Sequence, residues 1–162
     1  MKNEKEFMDQ AKLIKRLEKP AGKIDVVLDT DTYNEIDDQF ALAYLIRSDE
    51  KLNLKAVYAA PFYNDKSTGP ADGMEKSYDE IIKLLHLAGR EDLNSAVFHG
   101  SCGYLPDEST PVDSPAARRI AELAMEYTAD RPLYVAAIGA ITNVASALLL
   151  RPEIRERMVV VW

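Results

Sequence analysis

Short apolar runs alternate with amphipathic stretches along most of the chain. Ile24 to Asp29, Leu54 to Ala60, Ala96 to Phe98, Leu133 to Ile138 and Met158 to Trp162 are short and rich in β-branched or apolar residues, which predicts strands. Between them, Ile36, Phe40, Ala43, Tyr44 and Arg47 follow helical spacing, as do Ala116, Ile120, Leu123, Ala124 and Tyr127. Two more helices are expected, one from about Asp72 to Ala88 with Gly89 as its stop, the other from Asn143 to Leu150 ahead of Pro152. Strands alternating with helices predict an α/β fold, an open and mostly parallel sheet with flanking helices.

Residues 1–22 read differently. Phe7, Ala11, Ile14 and Leu17 fall near one helical face among many charges, and Pro20-Ala21-Gly22 breaks the pattern. We expect an amphipathic leading helix and linker there, the helix packed on the body of the domain, with residues 23–162 forming the α/β unit. Met158 to Trp162 is read as a buried strand with no crossover helix after it. Because parallel sheets are normally covered on both faces, the expectation is a truncated fold, the first part of a larger one or one completed by another chain, with a homo-oligomer as the expected assembly.

A length of 162 residues with 47% hydrophobic content is enough for one sizeable core. The net charge of −7 argues against nucleic acid or an anionic membrane as partner, since both attract basic surfaces. Cys102 is the sole cysteine, so neither an internal disulfide nor a cysteine zinc cage is available. No apolar run has the length of a membrane span and the amino terminus does not resemble a secretion leader, so a cytoplasmic protein is expected.

The chemistry concentrates at the end of the first strand, where Asp29, Asp31, Asp37 and Asp38 lie within ten residues. In open α/β sheets ligands collect at the carboxyl ends of strands, and Asp37 and Asp38 would open the next helix, whose free N–H groups favour negative charge. Clustered carboxylates repel one another unless a cation neutralises them. With oxygen donors only, Ca²⁺ is favoured, Mg²⁺ comes second, and zinc or copper is disfavoured. An EF-hand loop begun at Asp29 would need Gly and Glu where Asn34 and Phe40 stand, so that reading fails. Asp29-Thr30-Asp31-Thr32 also resembles the start of haloacid dehalogenase-type Mg²⁺-dependent phosphatases, in which the first Asp is the nucleophile. That alternative leaves Asp37 and Asp38 unused.

Asp29-Thr30-Asp31 followed by Asp37-Asp38 and Ala41-Leu42-Ala43 resembles the amino-terminal signature of the inosine-uridine nucleoside hydrolases. Val57 to Asn64 is similar to that family's second strand and the Asn ending its loop, and Glu75 to Arg90 to the helix that follows. Ala137 to Ala145, containing Gly139-Ala140-Ile141-Thr142-Asn143, resembles the family's turn into a later helix. The resemblance implies a Rossmann-like fold and a calcium-dependent N-ribohydrolase of purine or pyrimidine salvage, acting on a small ribonucleoside. It implies Asp31 and Asp38 as metal ligands through carboxylates and Thr142 through its backbone carbonyl, Asp37 and Asn64 as ribose contacts, and Asp31 as general base. The loop Thr32 to Ile36 is two residues longer than the family's, and the family's later half, with its further ligands, has no counterpart here, so weak or absent turnover is expected. An inactive ribose- or metal-binding module is the third reading. His86 and His99 are read as structural, Cys102 as a free thiol, and Gly100 to Pro115 as a lid or plain surface loop.

Overall fold

The computed structural model describes residues 10–162, so Phe7 lies outside the described part. Helix α1 (Gln10–Leu17) leads into β1 (Ile24–Thr30), α2 (Ile36–Arg47), β2 (Leu52–Ala59), α3 (Pro70–Leu87), β3 (Val97–Phe98), α4 (Pro115–Ala124), β4 (Leu133–Ala137), α5 (Thr142–Leu150) and β5 (Met158–Val161). Two 3₁₀ turns, Glu91–Ala96 and Pro152–Glu156, fall where the sequence shows no helical periodicity. The strands form one sheet in the order β3-β2-β1-β4-β5, and every neighbouring pair is parallel.

Period-two alternation along β1 divides the core. Val26 and Leu28 face Leu42, Ile46, Met74, Ile81 and Leu85 of α2 and α3, whereas Val27 joins Ile120, Leu123, Val135 and Val144 on the α4 and α5 side. Both faces of the central strands are thereby dry, as a parallel sheet requires. Each fully buried Leu or Ile contributes about 1.5–3 kcal/mol relative to exposure. Helix ends follow local chemistry. Ser114 caps α4 by accepting from the Ala117 N–H at 3.1 Å, with Pro115 at the first helical position. Beyond α3, Gly89 takes φ 65°, which lets the Arg90 N–H return to the Leu85 carbonyl at 2.8 Å.

Three expectations need correction. In α2 the spacing of Ile36, Phe40 and Tyr44 marks the outer face, each being 67–69% exposed, while Asp38, Leu42, Leu45 and Ile46 face the sheet. Two apolar stripes compete on this helix, and the one continuous with Asp38 wins because its partner is fixed at the end of β1. In the described part of the leading helix, Leu13, Ile14 and Leu17 are exposed and do not cover core, and Arg16 donates to the carbonyls of Ala129 and Glu156. Nor is the last strand buried. It forms an edge of the sheet, Met158 alone is buried, and Val160, Val161 and Trp162 are exposed.

Candidate functional site

The chain leaves β1, turns to β2 on one side, and after β3 crosses back to β4 on the other, so the carboxyl end of β1 is the switch point of the sheet. Backbone bonds pin it from both flanks: the Ala60 N–H donates to the Thr30 carbonyl at 2.8 Å and the Ile138 N–H to the Asp29 carbonyl at 2.9 Å. The acidic cluster predicted from sequence is built on this rigid end.

Three carboxylates are buried here, Asp29, Asp31 and Asp38, and none forms an ion pair among the described residues. A neutral side chain holds one oxygen of each. Asn143 Nδ2 donates to Asp29 Oδ1 at 2.8 Å, Asn34 Nδ2 to Asp31 Oδ2 at 2.9 Å, and Thr30 Oγ1 to Asp38 Oδ1 at 2.5 Å. Asp29 Oδ2 is buried with no partner. Burial pushes the Asp29 carboxyl up to about 7, against the lowering effect of Asn143, with repulsion from Asp31 adding to the rise. Burial likewise raises Asp31, opposed by Asn34, and lifts Asp38 to about 6, opposed by Thr30 and reinforced by Asp31 and Asp37. Neutral donors orient these groups without cancelling their charge, so the cluster favours a cation or a proton.

The other predicted residues gather around the same end. Asp37 is exposed in the first turn of α2. Asn64, exposed in the loop after β2, donates through Nδ2 to Asn34 Oδ1 at 2.6 Å. Thr142 is buried as the first residue of α5, and the turn before it lies against Asp31, since a Cβ on Gly139 would fall 2.8 Å from Asp31 Oδ1.

Sequence reasoning missed two members. Asn143, fully buried, donates to both Asp29 and the Ala59 carbonyl and accepts from the N–H and hydroxyl of Ser101 at 2.8 Å, joining β1, β2, α5 and the loop after β3. It was visible only as part of the Gly139-to-Asn143 turn. Asn34 stood in the lengthened loop, and nothing in its spacing marked it. His99 stacks on Tyr78 with centroids 3.7 Å apart, and His86 meets Glu91 at 2.7 Å. The loop after β3 is anchored at Ser101 and Ser114, both buried, while Cys102 is exposed.

The donor set suits a hard cation in kind: carboxylate oxygens, an unpartnered Asp29 oxygen and, among the described residues, no Lys or Arg ion-paired to the three carboxylates. It is not a closed cage. Among the described residues, no three His, Cys, Asp or Glu side chains could hold a metal by themselves. Two clefts of about 450 and 550 Å³ border Lys19, Pro20 and Ile24, beside the start of β1 and apart from the acidic cluster.

No protein-family model and no curated protein sequence matches the chain. Solved structures do. A plant nucleoside hydrolase superposes with a TM-score of 0.60 at 23% identity, over 87% of this chain and 48% of its own. A purine-preferring ribonucleoside hydrolase from Gardnerella vaginalis superposes at 0.59 with 20% identity, over 83% of this chain and 46% of its own. The chain thus has the α/β architecture found in ribonucleoside hydrolases and spans about half the length of these two structures.

Proposed function

We propose that this chain carries the carboxylate part of a metal-dependent N-ribohydrolase site, acting on a ribonucleoside to give ribose and free base. The observation that carries the reading is the trio of buried carboxylates, without ion pairs among the described residues, at the switch point of the sheet. The fold likeness to two ribonucleoside hydrolases supports it, as does the order of motifs from Asp29 to Asn143.

Asp31 and Asp38, with the Thr142 carbonyl, would hold Ca²⁺, and oxygens from outside this set would complete it. Such an ion supplies positive charge that acidifies a water and fixes ribose hydroxyls. Asp31 then takes the proton from the attacking water, while Asp37 and Asn64 hold the sugar and set the anomeric carbon before it. Positive charge developing on the ribose ring is met by the remaining carboxylate field. Asp29 is 1% exposed, which suits a supporting role through Asn143 better than the nucleophile's role of the phosphatase alternative.

Calorimetry with CaCl₂ tests the metal site. Asp38→Ala should weaken calcium binding at least 100-fold, and unchanged affinity would remove the assignment. Chromatography of nucleosides incubated with the chain, in calcium and in chelator, tests the chemistry; calcium-independent base release, or phosphate release from phosphomonoesters, would contradict it.

A further inference from the structure

We infer that Asn34 is a positioning residue: it sets the Asp31 carboxylate toward the metal and couples it to Asn64. The inference rests on the reading of Asp31 as ligand and base. Every polar group of Asn34 is engaged. Its N–H donates to the Asp31 carbonyl at 2.7 Å and its Nδ2 to Asp31 Oδ2 at 2.9 Å, while its Oδ1 accepts from Asn64 Nδ2 at 2.6 Å and its carbonyl accepts from Lys66 Nζ. One residue therefore ties the candidate base on the first loop to the candidate sugar contact on the second.

The chemistry of the amide matters. A neutral donor fixes one carboxylate oxygen and leaves the charge of Asp31 for a cation, whereas a Lys or Arg in its place would neutralise it. Asp31 Oδ2 is held by Asn34, and Oδ1 lies beside Gly139, where a Cβ would come within 2.8 Å and glycine leaves it room. Fixing one oxygen in this way narrows the orientations open to the carboxylate and reduces the entropy a metal would otherwise spend in ordering it. Hydrogen bonds to metal-ligating groups typically change affinity by about 10–100-fold. The two additional residues of the loop from Thr32 to Ile36, relative to the family the sequence resembles, find a use here: they provide the length over which Asn34 turns back onto Asp31.

A purely mechanical role, in which Asn34 only clasps the two loops, makes a different prediction. Lys66 shares the clasp, through Asn34 and through the bond from its N–H to Asn64 Oδ1 at 2.9 Å, but no bond joins it to Asp31. Calorimetric titration of the 162-residue chain with CaCl₂ should show Asn34→Leu weakening binding about tenfold or more. Lys66→Met should stay within about twofold of the unaltered chain. Far-UV circular dichroism confirms that both variants fold; where Asn34→Leu does not, Asn34→Ala carries the test, keeping the backbone bond and losing only the side-chain pair. Equal losses in the two variants, or unchanged affinity in the Asn34 variant while Asp38→Ala abolishes binding, would overturn the role of Asn34 and leave the metal site standing. Absence of calcium binding by the unaltered chain would remove the metal site, and the role of Asn34 with it.

Discussion

Asp25 and Asp29 lie on the same face of β1, one at the start of the strand and one at its end. Asp25 accepts hydrogen bonds from Asn53 at 2.5 Å, Tyr127 at 3.0 Å and Arg131 at 3.2 Å. Burial raises its pKa, but the bonds from Asn53 and Tyr127, the charge of Lys55 and the bond from Arg131 outweigh that, and the carboxyl ends below its ordinary value. Asp29 has, among the described residues, one neutral partner, a bare oxygen and no paired cation, and burial pushes it up to about 7. The same residue type on the same strand is thus satisfied as a carboxylate at one end, while at the other its charged form is disfavoured by burial. A carboxylate with its own cation serves the fold; an oriented one without a cation is available to a ligand.

The sharpest way to break this comparison is Asn143→Ala. It leaves Asp29, the Ala59 carbonyl and Ser101 without their shared partner in a dry site, and should lower stability by about 3 kcal/mol in urea unfolding. A loss under about 1 kcal/mol would mean that the carboxyl end of β1 does not depend on Asn143.

Next in size is Asp29→Asn in calcium-free buffer. The folded pKa, about 7, lies above the ordinary carboxyl value of 3.8, so the folded state holds the proton more tightly. The stability associated with that proton is present in full below about pH 4 and is lost as pH rises toward 7. The amide removes this dependence, so the variant should gain about 2 kcal/mol on the unaltered chain between pH 5 and pH 8. Parallel pH profiles for the two proteins would contradict it.

Smallest is Tyr127→Phe at the opposite end, expected to cost about 1 kcal/mol near pH 6. Here the sign reverses. The Asp25 pKa is depressed on folding, so its contribution is present above the unfolded value and fades as pH falls below it. The deficit of Tyr127→Phe should therefore shrink toward pH 3 in acid unfolding curves, and a deficit that grows there would show the Asp25 network misread.

Much of the fold was legible because period and punctuation act locally. Val26-Val27-Leu28 announces a strand whatever surrounds it, and Gly89 stops α3 through its own backbone freedom. The failures share a cause. Periodicity reports that a stripe is apolar, not which stripe meets the sheet, so Ile36, Phe40 and Tyr44 were indistinguishable from Leu42, Leu45 and Ile46 until α2 was docked. The apolar character of Val160, Val161 and Trp162 gave no sign that β5 lies at an edge, because position in a sheet is a property of all its strands.

The candidate site divides the same way. Asp29, Asp31, Asp37 and Asp38 were readable because they are clustered in the chain and their charges need explaining wherever the segment goes. Asn143 and Asn34 were not, since an amide acquires meaning only from its partners, and Asn143 finds Asp29 from 114 residues away. Sequence by itself determined which local elements form and that acid gathers after the first strand, because dihedral preferences, apolar period and charge density are properties of neighbouring residues. The order of strands, the buried face of α2 and the amides that orient each carboxylate were decided only by tertiary structure, where burial removes water and every remaining polar atom must find its partner across the chain.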